Sequence, residues 1–178
     1  MVNIALVGCN GKMGKAVTSA VQSRNDCEIV FGADPFGTPA YDYPVFESLA
    51  VSDKKADVII DFSNPASLDD ILAYALEKKI PCVLCTTGYS PEQVEKIKKA
   101  SESVAVFYSG NMSLGINLLI ELSKEAAKIL GAADFDIEIV EKHHNQKIDA
   151  PSGTALMIAD GISDTLAEEP QYVYDRHS

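Results

Sequence analysis

The stretch NIALVGCNGKMGKAV, Asn3 to Val17, decides how the rest of the chain is read. Asn3–Val7 is an apolar run of the kind that forms a buried strand. Gly8-Cys9-Asn10-Gly11-Lys12-Met13-Gly14 follows at once, and a helical pattern runs from Met13 to Arg24. The spacing is GxxGxxG rather than GxGxxG, but the physical demand is the same. Such a turn needs a tight bend, close approach of backbone to a pyrophosphate, and free N–H groups at a helix start. Glycine turns are common, so position carries the weight: this one fills the first strand-to-helix junction of a chain that continues in α/β order.

Outward from that turn, apolar β-rich runs alternate with amphipathic ones. Glu28–Ala33 reads as the second strand, followed by a loop containing Pro35, Gly37, Pro39 and Pro44. Asp57–Phe62 is rich in Val and Ile and fits burial on both faces, as in a parallel sheet. Asn64-Pro65 opens a helix to about Lys78, and PCVLCT (residues 81–86) is another strand. Ser90-Pro91-Glu92-Gln93 is a capping box for a helix ending near Ser101, and Val104–Ser109 is a fifth strong strand. This alternation implies right-handed crossovers and a doubly wound α/β sheet. The pattern changes near Asn111. A long apolar helix, Leu114–Leu130, is closed by Gly131, Phe135–Glu141 alternates like a strand with one solvated face, and a helix spans about Ser152 to Leu166. Residues 171–178 begin like a further strand. The expected division is a dinucleotide-binding domain, 1–112, and a smaller α+β domain, 113–178.

At 178 residues, 47% hydrophobic and 23% charged, the chain has the make-up of a soluble globular protein with its own core. A net charge of −11 and a pI near 4.6 argue against nucleic acid and against an anionic membrane surface. Met1 leads straight into a strand, so no signal peptide is expected, and the longest apolar run, around Leu118–Ile120, cannot span a bilayer. Cys82 and Cys85 have CxxC spacing, but on a strand residues three apart point to opposite faces, which favours core packing over zinc. Free thiols fit a reducing cytoplasm.

Asp34 ends the second strand, 20 residues after Gly14, where a carboxylate can accept hydrogen bonds from an adenosine ribose. No arginine follows it to hold a 2′-phosphate, which predicts NADH over NADPH; the Lys12 ammonium is the one group that could reverse this. Cys85-Thr86-Thr87-Gly88 and Ser109-Gly110-Asn111-Met112 lie at strand ends where a dinucleotide would pass.

The stretch HHNQKIDAPSGTA, His143–Ala155, stands out in so acidic a chain. With Lys142 before it, it gathers Lys142, His143, His144 and Lys147 ahead of a helix start at Ser152-Gly153-Thr154. Histidines titrate near neutrality, and hydroxyls and N–H groups at a helix start suit a carboxylate. The ligand implied is a small anion, with two carboxylates expected. Adjacent histidines chelate one metal ion poorly, so a metal is not expected.

GCNGKMG, DFSNP, CTTG, SGNMSLGIN and above all EKHHNQKIDAPSGTA resemble the 4-hydroxy-tetrahydrodipicolinate (dihydrodipicolinate) reductase family of diaminopimelate and lysine biosynthesis, and the resemblance covers essentially the whole chain. It implies a Rossmann-like domain for NADH or NADPH and a smaller domain for a cyclic dicarboxylate. It implies that His143 donates and accepts the proton and that Lys147 is a second acid that also holds a carboxylate. His144, Ser152, Gly153 and Thr154 would bind substrate. Gly8, Cys9, Asn10, Gly11, Lys12, Met13, Asp34, Cys85, Thr86, Thr87, Ser109, Gly110, Asn111 and Met112 would bind the cofactor. It also implies a homotetramer.

Two departures stand out. Cys85 occupies a place where the family usually has glycine, so a side chain must be accommodated. Family members also carry a further segment that completes the second domain's sheet, so the 178-residue form is expected to be truncated and to bind NADH while reducing substrate poorly. The competing readings are a non-catalytic NAD-binding module or inactive remnant, and another dicarboxylate-binding enzyme of the same fold.

Overall fold

A computed structural model describes residues 1–36, 41–145, 147, 150–168 and 170–175. The chain divides into two units, Met1–Gly110 and Asn111–Ser178. The first unit contains β1 (Val2–Val7), α1 (Lys12–Gln22), β2 (Cys27–Ala33), β3 (Val45–Phe46), β4 (Val58–Asp61), α2 (Leu68–Lys78), β5 (Cys82–Leu84), α3 (Pro91–Ser101) and β6 (Val106–Tyr108). The six strands form one sheet in the order β3-β2-β1-β4-β5-β6, with every neighbouring pair parallel.

Alternation along the central strands builds both layers. Ala5, Val7 and Ile59 face one core with Leu68, Ile71 and Ala75 of α2 and Ile97 and Ala100 of α3. Ile4 and Leu6 face the other, with Val17 and Val21 of α1. In β2 the phase reverses: Ile4 pairs with Ile29 but Ala5 pairs with Phe31, skipping Val30. That irregularity sends Ile29 to one core and Phe31 to the other. Phe31, Leu6 and Ile59 are wholly buried, each stabilising the sheet by roughly 1.5–3 kcal/mol. The sheet order reverses direction between β1 and β4, and ligands of doubly wound folds bind at such a switch point, beyond the strands' carboxyl ends.

The second unit contains α4 (Leu114–Gly131) and α5 (Gly153–Ser163). They approach closely through glycine: a Cβ on Gly161 would lie 2.9 Å from Ile120 Cγ2. A Cβ on Gly131 would lie 3.1 Å from Cδ2 of Leu166, just beyond α5. Gly131 therefore serves packing. The left-handed residue beyond the helix is Asp134, at φ 65°, and Phe135 N–H closes onto the Leu130 carbonyl.

Several local expectations need correcting. A two-residue strand, β3, lies in the proline-rich loop; it pairs only through Gly32 and Ala33, too briefly to show as a pattern. Residues 135–141 form no ladder with any described residue, and Ile137, Ile139 and Val140 are all exposed. Alternation makes a strand only where a partner takes its N–H and C=O groups. Residues 171–175 likewise form no strand, and 176–178 lie outside the described residues.

Candidate functional site

The glycine turn takes the shape that its sequence requires. Gly8 has φ +74°, and a Cβ there would lie 2.5 Å from the Phe62 carbonyl oxygen. A Cβ on Gly14 would overlap the Gly8 carbonyl oxygen and the Cys9 backbone. Both glycines are therefore fixed by close backbone approach. Gly11 is the N-cap of α1, with no side-chain cap and no acidic residue in the first turn. The first amides of α1 are consequently open to an anion.

Asp34 is joined to this turn. One carboxylate oxygen accepts from Asn10 N–H and the other from Phe36 N–H, each at 2.9 Å. A carboxylate offers about four lone-pair sites, so room remains for ribose hydroxyls. The Asn10 side chain donates to the Phe36 carbonyl at 2.5 Å, fastening the turn to the segment after β2. A cleft of about 690 Å³ opens here, lined by Gly8, Asn10, Gly11, Asp34, Phe36 and Ser63 among others. Its lining holds three carboxylates, Asp34, Glu47 and Asp70, and neither lysine nor arginine. The open helix start, the close-packed glycines and the ribose-ready carboxylate fit a dinucleotide.

Cys9, Lys12 and Met13 do not line that cleft. The Cys9 side chain is wholly buried and packs onto Gly32, so the residue can offer only backbone to a ligand. Burial, with Asp34 nearby, pushes its thiol up to about 11. Lys12 and Met13 are exposed on the first turn of α1.

At the end of β5, Cys85 and Thr86 are buried while Thr87 and Gly88 are exposed. Cys85 does not have positive φ, so cysteine fits this backbone without strain. Its thiol is likewise pushed up to about 11 by burial and by Asp61. Thr86 Oγ1 is buried without a hydrogen bond of ordinary geometry, though it lies near enough to the Tyr89 phenol to favour that group's ionised form. Ser109 N–H donates to the Leu84 carbonyl, and a Cβ on Gly110 would lie 3.3 Å from Thr87 Cγ2, so the expected cofactor residues of these two loops adjoin.

Asn111 and Met112 belong to the second unit. Met112 is exposed. Asn111 Nδ2 donates to Thr154 Oγ1 at 3.1 Å, and its Oδ1 accepts from Ser113 N–H at 2.7 Å. It therefore ties together the starts of α4 and α5. Ser113 and Ser152 cap these helices through their side chains, by Ile116 N–H and Ala155 N–H respectively.

The cationic stretch is organised by Glu141, a residue that sequence reasoning passed over. Glu141 Oε1 accepts from Ser152 N–H at 2.8 Å, and its Oε2 lies 3.6 Å from His143 Nδ1. Ser152, with His143 and Lys147 adding to it, holds the Glu141 carboxyl below the usual range. The position two residues before His143 was the available signal, because a carboxylate there can engage one imidazole nitrogen and leave the other outward. His143 and His144 are exposed, and Lys147 N–H donates to the His144 carbonyl. Ser152 is buried; Gly153 and Thr154 open α5, where first-turn amides have no partner within the helix. Gln146, Ile148 and Asp149 lie outside the described residues. Tyr41 and Tyr43, not expected from the sequence, also support the turn: their rings stack at 4.8 Å, Tyr41 donates to the Cys9 carbonyl, and the Tyr43 hydroxyl bonds Thr18 on α1. The repeated aromatics of YDY, residues 41–43, were the clue.

Comparison with known proteins bears on both parts of the chain. Residues 2–112 match the family model for the N-terminus of dihydrodipicolinate reductase, and residues 115–176 match that for its C-terminus. The chain is 52% identical over 176 residues to 4-hydroxy-tetrahydrodipicolinate reductase of Clostridium tetani, covering 99% of this chain and 69% of that protein. It is 49% identical over 178 residues to the enzyme of that name from Caldanaerobacter subterraneus, covering 100% of this chain and 70% of that one. The solved structure of dipicolinate-bound dihydrodipicolinate reductase from Paenisporosarcina sp. TG-14 superposes with a TM-score of 0.78 at 28% identity, covering 100% of this chain and 71% of that one. Matched along both parts by family models and by close relatives, the chain belongs to the dihydrodipicolinate reductase family.

Proposed function

We propose that this reductase uses a reduced nicotinamide dinucleotide, with NADH preferred, to reduce 4-hydroxy-tetrahydrodipicolinate in diaminopimelate and lysine biosynthesis. The glycine turn, Asp34 and the loops 85–87 and 109–112 hold the dinucleotide. When bound, that group supplies the hydride. Reduction of an electron-poor conjugated ring builds negative charge, and His143 gives the proton that quenches it, a contribution of typically ~10²–10⁴-fold. Glu141 Oε2, 3.6 Å from His143 Nδ1, sets a carboxylate beside the imidazole and leaves Nε2 to exchange the proton. Lys147, with His144 and the Ser152-Gly153-Thr154 helix start, takes up the two carboxylates. The NADH preference rests on the cleft: three carboxylates and no lysine or arginine in its lining disfavour a 2′-phosphate. The observation that supports the catalytic reading is the Glu141 clamp, in which the carboxylate accepts from Ser152 N–H at the start of α5 and lies 3.6 Å from His143 Nδ1.

We further place the enzyme in the cytoplasm as a homotetramer. Four free cysteines support the compartment, and the assembly is what the family resemblance implies. No helix among the described residues is long and apolar enough to cross a membrane.

The test is direct. Purified protein is mixed with NADH or NADPH and enzymatically generated 4-hydroxy-tetrahydrodipicolinate, and loss of the reduced nicotinamide absorbance is followed. Substrate-dependent oxidation, faster with NADH and inhibited by pyridine-2,6-dicarboxylate, is expected. Absence of substrate-dependent oxidation with either cofactor would sink the proposal.

A further inference from the structure

Asp61, the last residue of β4, is wholly buried, and no ion pair among the described residues reaches it. A carboxylate at such depth is costly unless donors surround it, so a strand end with no other task would carry an apolar side chain. Three donors hold this one. Ser63 gives its backbone N–H at 2.9 Å and its hydroxyl at 2.5 Å to Oδ1, and Tyr89 gives its phenol at 3.2 Å to Oδ2.

What the carboxylate secures is the wall against which the glycine turn rests. Phe62 and Ser63 line the cleft. The Phe62 carbonyl oxygen and Ser63 Cα lie 2.5 and 2.9 Å from where a Gly8 Cβ would stand, so the backbone of this wall sets the space in which Gly8 adopts φ +74°. On its other side Asp61 reaches the loop after β5: its carbonyl accepts from Cys85 N–H at 2.9 Å. Tyr89 directly follows Gly88, and its ring meets that of Tyr108 at 5.5 Å between centroids. Burial, with Asp61 adding to it, pushes the phenol up, so it remains a donor into the alkaline range. Tyr89 itself does not line the cleft.

We propose that Asp61 is a positioning residue for dinucleotide binding, holding the Phe62–Ser63 wall against the glycine turn, and that Tyr89 is its remote anchor. This rests on the dinucleotide reading of the cleft. Loss of the anchor loosens the wall, and the turn then samples geometries in which its amides no longer converge.

Tyr89→Phe is the decisive variant, since it removes one hydrogen bond, keeps the ring and leaves the cleft lining intact. Two readouts are taken. Hydrogen exchange is measured on the cofactor-free protein, and NADH affinity by the change in nicotinamide fluorescence. Exchange at residues 8–14 and the Kd for NADH should each rise roughly three- to tenfold, the worth of one hydrogen bond. Amides within α3 and the KM for the dicarboxylate should stay within about twofold, inside ordinary surface-mutation scatter. Asp61→Asn should exceed Tyr89→Phe in both readouts; should it fail to fold, Tyr89→Phe still decides. Unchanged exchange at 8–14, or a rise spread equally over all core amides, overturns the proposal. Failure of the parent protein to bind NADH would defeat the dinucleotide reading instead, and the exchange measurement would still judge the coupling of Tyr89 to the turn.

Discussion

Asp34→Asn puts the cofactor site under the sharpest test. In the folded chain each carboxylate oxygen takes one backbone N–H, from Asn10 and from Phe36, both at 2.9 Å. Asparagine has a single acceptor oxygen, and its amide nitrogen must face an N–H. One charge-assisted bond is lost and one amide left unpaired, at about 1.5–3 kcal/mol. Because Asn10 is part of the glycine turn, that loss falls on the backbone that would hold phosphate. The carboxylate is also the proposed ribose acceptor, so the Kd for NADH should rise roughly 10- to 100-fold. The effect on NADPH differs. A like charge at about 6 Å and an effective dielectric near 20 opposes a 2′-phosphate by roughly 3 kcal/mol, reduced to about 1–2 kcal/mol by physiological salt. Removing that repulsion offsets part of the binding loss for NADPH alone. The NADPH-to-NADH ratio of kcat/KM should therefore climb by about tenfold. Fluorescence titration and initial rates with both cofactors measure the two effects. A Kd for NADH within about twofold of the parent, or equal losses for both cofactors, would refute the reasoning.

Other perturbations reach the remaining parts. Gly14→Ala drives a Cβ into the Gly8 carbonyl and the Cys9 backbone, neither of which can yield, and should cost roughly 2–3 kcal/mol of stability in urea unfolding; an unchanged midpoint would contradict the close packing. His143→Ala should lower kcat by about 10²–10⁴ with little change in KM, whereas Lys147→Ala should both lower kcat and raise the dicarboxylate KM; near-normal turnover in either overturns its role. Glu141→Gln keeps an acceptor for Ser152 N–H but removes the charge beside His143, so kcat should fall while the circular dichroism spectrum is unchanged, and an unaffected kcat would dismiss the clamp. The thiols of Cys9, Cys82 and Cys85 are raised from 9.0 to about 11 by burial, with Asp34 or Asp61 adding to it. Since the fold favours the neutral thiol, stability is full below pH 9 and declines as pH rises toward 11. At pH 10 each thiol should cost about 1 kcal/mol; denaturant midpoints that do not move between neutral pH and pH 10 would count against their burial.

Legibility followed the range of the interactions. The strand-turn-helix of Asn3–Val17 could be read because a glycine turn, a strand and a helix start are each local, and the capping box at Ser90 and Gln93 forms as written. The two-faced burial of β4 could be read from its Val and Ile. Features that depend on distant partners could not. Nothing local in Asp61 announces that Tyr89, 28 residues away, will bond it. The alternation of residues 135–141 supplies one half of a ladder and says nothing of the other. The residue types around His143 point to a proposed acid beside an anion site, but Glu141 becomes part of it only because Ser152, 11 residues on, comes within reach.

An acidic chain that binds anions cannot rely on its overall field. The net charge of −11 repels a pyrophosphate and a dicarboxylate alike at long range. What it can do is act within about one Debye length, ~8 Å in physiological salt, where oriented amides outweigh scattered carboxylates. The two helix starts proposed to do so are built differently. The start of α1 has neither a side-chain cap nor a first-turn acid, so its amides stay open. The start of α5 is capped by Ser152, which uses the Ala155 amide, while Glu141, with His143 and Lys147 near it, takes the Ser152 amide. The contrast follows from the guests proposed for each. A pyrophosphate is spread over several oxygens and suits a row of amides approached closely past glycine. A carboxylate that must stay put while its ring takes up a proton suits fewer amides, plus a cation and an acid beside them. Glu141 reconciles the second arrangement with an acidic surface, because its carboxylate accepts from Ser152 N–H and lies beside His143 rather than facing the proposed guest alone.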